Sequence, residues 1–483
     1  MIKYSHPTSP LTGFNQRLNL KLRGQLYNPR KTLDQVLEII GEIKQQQLKL
    51  DINSYNALLI AYARNRTHRQ SVFDTLAEMR DVGVEPNTDS YNAILDALSN
   101  QGAVALQSEF KHEMIEKNVP LTSTTYHMLL KGMDKADELE FALNTLEEMK
   151  EKGVQPNIES YGILIGSCLR LKEATAAFDL LKEAEALDLA LESHPRIYLD
   201  VLRVASYCDK FDAVAYCWDK AIGKYSMRPD EGTCLSVLNA AGKQGDTQLA
   251  TDVIRQLSTS GFVYKEHYFT PLMEAFANKG DLKSAFNVLD IMRVSGMEPS
   301  MRSTLPIRKK LYKNIDAIDK AYYILEDMHK EGKVVDITAF NVIIGACADA
   351  EDIERTIATY REAPQLGVQP NVDTYNTVLE ACVKTRMQGM GNVVIKEMLN
   401  NSIKPNLETY SRMISLACTQ KSYEDAFTYL EEMKGYDIVP PESCYTTLAR
   451  KLAYEKDPRF HLALEEMETF GYKVTPKIRG LWK

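Results

Sequence analysis

The chain has 483 residues, 58 Lys and Arg against 66 Asp and Glu for a formal net charge of -8, and is 26% charged and 44% hydrophobic. Such a composition excludes a disordered or collagen-like chain and provides for a sizeable core, and no run approaches the roughly 18 apolar residues that a membrane-spanning helix needs. The acidic balance excludes a protein that coats nucleic acid by bulk charge, while leaving room for a local basic groove.

Length alone predicts roughly three domains at about 150 residues each, unless the chain is internally periodic. In chain order, residues 1–33 come first, with Lys3, Arg17, Lys21, Arg23, Arg30 and Lys31 and no acid. An acid-free basic start resembles an organellar presequence; a basic first helix is the alternative. From there a motif of the form S/T-Y-N-x-h-h recurs, its aromatic position falling at Tyr55, Tyr91, Tyr126, Tyr161, Tyr198, Cys234, Phe269, Thr304, Phe340, Tyr375, Tyr410 and Tyr445, with gaps of 35 to 37 residues. A fixed period in this range is the signature of a solenoid, so the three-domain expectation gives way to one repeated unit.

Each unit reads as two helices. The first opens at the aromatic and carries apolar residues at helical spacing, as in Tyr55, Leu58, Leu59 and Tyr62. A turn follows, marked by Gly102, Gly245 or Gly280, where a residue without a Cβ adopts positive φ without strain. The second helix places a small residue at a close crossing (Ala142, Ala177, Ala250, Ala285, Ala321, Ala426) and ends near a Met and a Gly-x-x-Pro stop such as Met79, Gly83 and Pro86. With the aromatic fourth in the unit, thirteen frames run from 17–51, a degenerate capping repeat, through an array over 52–476, leaving 477–483 as a tail. Since no unit can bury both helix faces alone, stability comes from stacking on neighbours. The repeated Tyr and Met are core residues. The eight cysteines include no CxxC pair and read as reduced, packed thiols.

Segments such as SYNALLIAYAR…LAEMRDVGVEPN and TYNTVLEACVK…VIKEMLNNSIKPN resemble the pentatricopeptide repeat. The tetratricopeptide repeat, with 34 residues and a Trp-Leu-Gly-Tyr pattern, fits less well, because Trp218 and Trp482 stand in no such pattern. The resemblance implies an all-α fold, a right-handed superhelical α-solenoid of about 13 units, without cofactor or metal. It further implies single-stranded RNA, mitochondrial mRNA or rRNA, lying along the first helices at about one base per unit, with the mitochondrial ribosome or RNA-processing proteins as further partners. On this reading residues 1–16 are the remnant of a mitochondrial presequence.

In that family the base is read by the residue after the aromatic together with the last residue of the unit. These positions hold Asn56 with Asn87, Asn92 with Thr122, His127 with Asn157, Thr270 with Ser300, Asn341 with Asn371, and Asn376 with Asn406. A carboxamide offers both donor and acceptor to a base edge, and the resemblance implies that Asn/Asn pairs favour pyrimidines. Other units depart from the pattern: Gly162 with His194, Leu199 with Asp230, Leu235 with Lys265, Leu305 with Asp336, and Ser411 with Pro441. Two residues before the aromatic, where the family often has an apolar clamp, stand Asp89, Glu159, Asp373 and Glu408; acids at a helix start are also favoured by the helix dipole.

Over the first fourteen residues of each frame the charge sums to +7, leaving -15 elsewhere, and the first and ninth units supply +4 and +5 of it. The thirteenth position is basic in six units (Arg64, Lys135, Arg170, Lys243, Lys313, Lys384), a candidate rim for phosphate or a set of solvated helix-end cations. No HExxH, P-loop, Gly-x-Ser-x-Gly or zinc-deaminase signature is present, and the histidines His68, His112, His329 and His461 fall at unrelated repeat positions. The expected function is therefore sequence-selective RNA binding without catalysis in RNA processing, stabilisation or translation, with small-subunit rRNA 5'-end maturation as one candidate. A protein-binding scaffold or mitoribosome-associated subunit is the alternative.

Overall fold

The computed structural model describes residues 32–45, 49–65 and 69–482, all in helices, turns and connecting loops. The basic residues from Lys3 to Lys31, the start of the first frame and His68 lie outside the described residues. The chain forms two compact units, Met1–Pro229 and Asp230–Lys483. Each is built of antiparallel helix pairs that follow the sequence frames, such as Ser123–Lys135 with Leu139–Glu151 in the first unit and Val372–Thr385 with Gln388–Asn400 in the second. Within each unit the first helix of one repeat packs on the first helix of the next and on its own second helix.

Local chemistry accounts for the helix starts. Except before the sixth and ninth frames, whose first helices start after Pro195 and Thr304, the last residue of one frame is the N-cap of the next first helix, and the Ser or Thr of the S/T-Y-N motif, where present, is its third residue. Asn87 with Ser90, Thr122 with Thr125, Asn371 with Thr374 and Asn406 with Thr409 form reciprocal capping boxes, which satisfy donors that a helix start otherwise leaves open. The turns need positive φ, met by Gly102, Gly245 and Gly280 and elsewhere by Asp137, Lys172 or Arg386.

Packing follows the predicted pattern. Tyr91, Tyr126, Tyr161, Phe269, Phe340, Tyr375 and Tyr445 are wholly buried, as are the small residues Ala142, Ala177, Ala250, Ala285, Ala321 and Ala426 and the methionines Met79, Met149 and Met292. Each buried aromatic contributes about 1.5–3 kcal/mol relative to exposure. All eight cysteines are free and six are buried; burial pushes the Cys168 thiol up to about 11. Close approach explains one glycine: a Cβ on Gly242 would sit 2.7 Å from the Pro271 carbonyl oxygen of the adjacent first helix.

Three places depart from the sequence expectation. In the ninth frame Thr304, placed at the aromatic position of a helix, lies buried in a turn, and the first helix is only Leu305–Leu311. Pro306 sets this start, since proline suits the first turn of a helix. In the sixth frame the second helix, Phe211–Trp218, continues as a π-helical stretch, Asp219–Lys224. Finally, the tail folds onto the last repeat: Ile478 is buried and the Trp482 ring stacks on Phe460 at 5.3 Å.

Candidate functional site

The proposed reading residues occupy the start of each first helix, where one frame meets the next. In three repeats the structure joins the two members directly. Asn56 Nδ2 donates to Asn87 Oδ1 at 3.1 Å, Asn341 Nδ2 to Asn371 Oδ1 at 3.2 Å, and Asn376 Nδ2 to Asn406 Oδ1 at 3.2 Å. The first member is buried in all three, while Asn87 and Asn371 are half-buried and Asn406 is exposed. The same Oδ1 caps the helix, accepting from the backbone N–H of Ser90, Thr374 or Thr409. The acceptor side of each last-position carboxamide is thereby occupied.

The buried Asn is held from the next repeat as well. Ser90 Oγ donates to Asn56 Oδ1 at 2.5 Å and Thr409 Oγ1 to Asn376 Oδ1 at 2.7 Å. Asn341 differs, its Oδ1 being buried without a hydrogen-bond partner. A buried acceptor left open is costly.

The remaining pairs are not joined to each other. Asn92 Oδ1 accepts from Thr125 Oγ1 at 2.8 Å, while Thr122 serves as the cap. His127 lies 4.0 Å from Glu159 and its Nδ1 has no hydrogen-bond partner; Asn157 caps through Ser160. Ser300 Oγ donates to Glu266, and Thr270 is half-buried. The departures from the pattern have structural reasons: Asp230 and Asp336 are helix caps, and Lys265 pairs with Glu231 at 2.7 Å. Asp89, Glu159, Asp373 and Glu408 are exposed in the first turns of their helices, where acids complement the dipole.

The thirteenth-position cations end or follow their first helices, but they do not form a row of free charges. Arg170 pairs with Asp134 at 2.7 Å and Asp137 at 3.3 Å, Lys384 with Asp349 at 2.7 Å and Glu380 at 2.9 Å, and Lys313 lies 3.8 Å from Glu351. Lys135 is exposed with no carboxylate partner among the described residues. Arg64 and Lys243 are exposed at the ends of Ile52–Arg64 and Glu231–Gln244.

Two charge systems escaped the sequence reading. The first repeats along the chain. Tyr91 donates to Glu113 at 2.8 Å and Arg80 of the preceding repeat pairs with that carboxylate at 2.5 Å. Tyr126, Glu148 and Lys111 form the next such set, and Tyr161, Glu183 and Lys150 the one after. Burial and Glu148 push the Tyr126 hydroxyl up to about 12. The recurring Glu before each buried Met, in Glu78-Met79, Glu113-Met114 and Glu148-Met149, was the available signal.

The second system spans alternate repeats. Arg308 forms a two-pronged ion pair with Asp349, Nε to Oδ2 at 2.7 Å and Nη2 to Oδ1 at 2.9 Å, and also reaches Glu380 at 2.8 Å, two repeats further on. It crosses the repeat between over Gly345, where a Cβ would stand 3.2 Å from the Arg308 Cζ. Lys384 and Arg412 close the network on Glu380. Burial alone would raise the Glu380 carboxyl, but the three cations hold it below its ordinary value of 4.5. Among the described residues no group of three or more His, Cys, Asp or Glu could hold a metal ion, and no helix is long and apolar enough to cross a membrane.

Fold and site together define a helical-repeat protein whose paired polar residues recur at the seams between successive first helices within each unit. Three family models match: pentatricopeptide repeat domain over residues 38–101 and 109–170, pentatricopeptide repeat-containing protein over 231–363, and the pentacotripeptide-repeat region of PRORP over 309–453. The chain belongs to the pentatricopeptide repeat family. It is 23% identical over 363 residues to a mitochondrial pentatricopeptide repeat-containing protein of Arabidopsis thaliana, covering 68% of this chain and 56% of that one. It is 27% identical over 187 residues to the small ribosomal subunit protein mL103 of the same plant, covering 38% of this chain and 43% of that one. Other relatives are named as chloroplastic. The chain thus spans about half, or less, of the length of these curated relatives. Similar solved structures are maize PPR10 with an 18-nucleotide psaJ RNA element, at 17% identity and TM-score 0.37 over 95% of this chain and 80% of that one, and yeast Rmd9p with a 16-nucleotide target RNA, at 13% identity and TM-score 0.34 over 86% and 93%.

Proposed function

We propose that this protein binds single-stranded RNA along its first helices, sequence-selectively and without catalysis, in mitochondrial RNA processing, stabilisation or translation. The observation that carries the reading is the direct hydrogen bond within the pairs Asn56/Asn87, Asn341/Asn371 and Asn376/Asn406. Capping and pairing consume the acceptor of the last residue, so each pair presents the Nδ2 donor of Asn87, Asn371 or Asn406 to a ligand. A donor suits the carbonyl oxygens of cytosine and uracil. By covering a defined segment the protein would block an exonuclease, set a processed end, or keep a translation site open; maturation of the small-subunit rRNA 5' end is one such role.

A mitoribosome-associated scaffold is the second reading. The resemblance to mL103 and the neutralisation of Arg170 and Lys384 by neighbouring acids favour it. Fluorescence anisotropy with labelled RNA 14-mers separates the two. Pyrimidine-rich strands are expected to bind in a salt-sensitive manner, and Asn341→Ala with Asn376→Ala to weaken that binding more than binding to a purine strand. Equal affinity of the double variant and the unsubstituted chain would overturn base reading at these pairs.

A further inference from the structure

The ninth repeat has no reading pair, yet it is the most basic of the described first-helix segments. Its fifth residue, Leu305, has no polar group, and Asp336 is buried, capping Thr338 at 2.7 Å and facing Arg293 at 3.5 Å. Its five cations do different things. Arg308 is committed to Asp349 and Glu380, and Lys313 lies near Glu351. Lys309 and Lys310 are exposed and have no carboxylate partner among the described residues, while Arg302, also exposed, helps to hold the Glu266 carboxyl below its ordinary value.

The shortened helix also releases an aromatic. It ends at Leu311 because Tyr312 leaves helical dihedrals (φ -53°, ψ 117°) and Lys313 takes φ +53°. Tyr312 is therefore 58% exposed and Leu305 47% exposed. No other frame has an aromatic at this position, which elsewhere holds residues such as Ala63, Ser99, Gly242, Ala277 and Ala348. Between them lies a cavity of about 330 Å³ lined by Leu305, Arg308, Lys309, Tyr312 and Asp349. The ion pairs of Arg308 fix one wall.

We propose that this cavity is a nucleotide site that does not read sequence: a base packs on the Tyr312 ring and the Leu305 side chain while Lys309 and Lys310 meet the flanking phosphates. Every base has a π-face, so stacking on an exposed aromatic is indifferent to identity, and unpaired cations beside it supply the salt-dependent part of the affinity. The unit that lost its hydrogen-bonding residue thus serves as an anchor between repeats that read. This inference rests on the RNA-binding reading above and adds a site that the repeat pattern does not contain.

The test uses the full chain and two labelled strands, one of uridine and one of adenosine, titrated at several salt concentrations. Tyr312→Ala is expected to weaken both by about the same factor, roughly tenfold, whereas Tyr312→Phe keeps the affinity. Lys309→Gln with Lys310→Gln is expected to flatten the salt slope by about 1.4. All three side chains are exposed, and an unchanged thermal melt excludes unfolding as the cause. If Tyr312→Ala and the lysine pair leave binding unchanged while Asn341→Ala with Asn376→Ala still weakens it, the site is overturned and the base-reading proposal stands. A loss confined to one strand overturns the claim of indifference, and an unsubstituted chain that binds neither strand overturns both proposals.

Discussion

Asn371 holds two positions at once: it caps the helix that follows through Thr374 and accepts from Asn341. Removing the side chain therefore costs stability before any ligand is considered. Asn371→Ala is expected to lower unfolding stability by about 1 kcal/mol, with Asn371→Ser or Asn371→Asp close to neutral for the cap, as read by urea denaturation. The S/T-Y-N motif was legible as a repeat from spacing alone. What spacing could not reveal was which partner each side chain takes, because one residue of register separates a cap from a base-facing group. Asn92 and Thr122 have the same spacing as Asn341 and Asn371, yet Asn92 bonds to Thr125 instead. His127 and Asn157 are likewise in register and unjoined.

Among the elements, the helix pairs follow the frames because apolar periodicity, glycine turns and caps agree at nearly every boundary. The ninth first helix is the exception, and its lack of the aromatic at Thr304 was the visible sign. The Arg308 network was not legible, since it joins residues 41 and 72 positions apart in the chain and needs the absence of a side chain at Gly345. Leucine at position 345 is expected to displace the guanidinium from Glu380. In a double-mutant cycle, Arg308→Met and Glu380→Gln should couple by about 0.5–3 kcal/mol in the native background. With Gly345→Leu that coupling should collapse; an unchanged value would mean that the guanidinium reaches Glu380 by another route.

For the molecule as a whole, acidity is the informative variable. Hydrogen bonds and neighbouring cations outweigh burial and hold the Glu113, Glu148, Glu185, Asp349 and Glu380 carboxyls below their ordinary values. A carboxyl depressed in the folded state contributes stability that is fully present above its unfolded value and is lost as pH falls through the folded one. Melting temperature should therefore stay level from neutral pH to about 5 and fall progressively below about 4.5, with Glu148→Gln showing a shallower fall. A flat profile down to pH 3 would show that these groups titrate as in the unfolded chain. The division of charge between first helices and the rest was legible from the sequence, but the extent of internal pairing was not, because contacts such as Arg80–Glu113, Lys111–Glu148 and Arg308–Asp349 cross repeat boundaries. The two kinds of crossing differ in what they permit over evolutionary time. A staple such as Arg80 to Glu113 links adjacent repeats through groups that recur at the next boundaries, as Lys111 with Glu148 and Lys150 with Glu183, so a repeat duplicated or deleted there leaves a seam that can re-form. Arg308 bridges to Glu380 over Gly345, so exchanging the ninth, tenth or eleventh repeat singly would break a bridge that neither neighbour can restore.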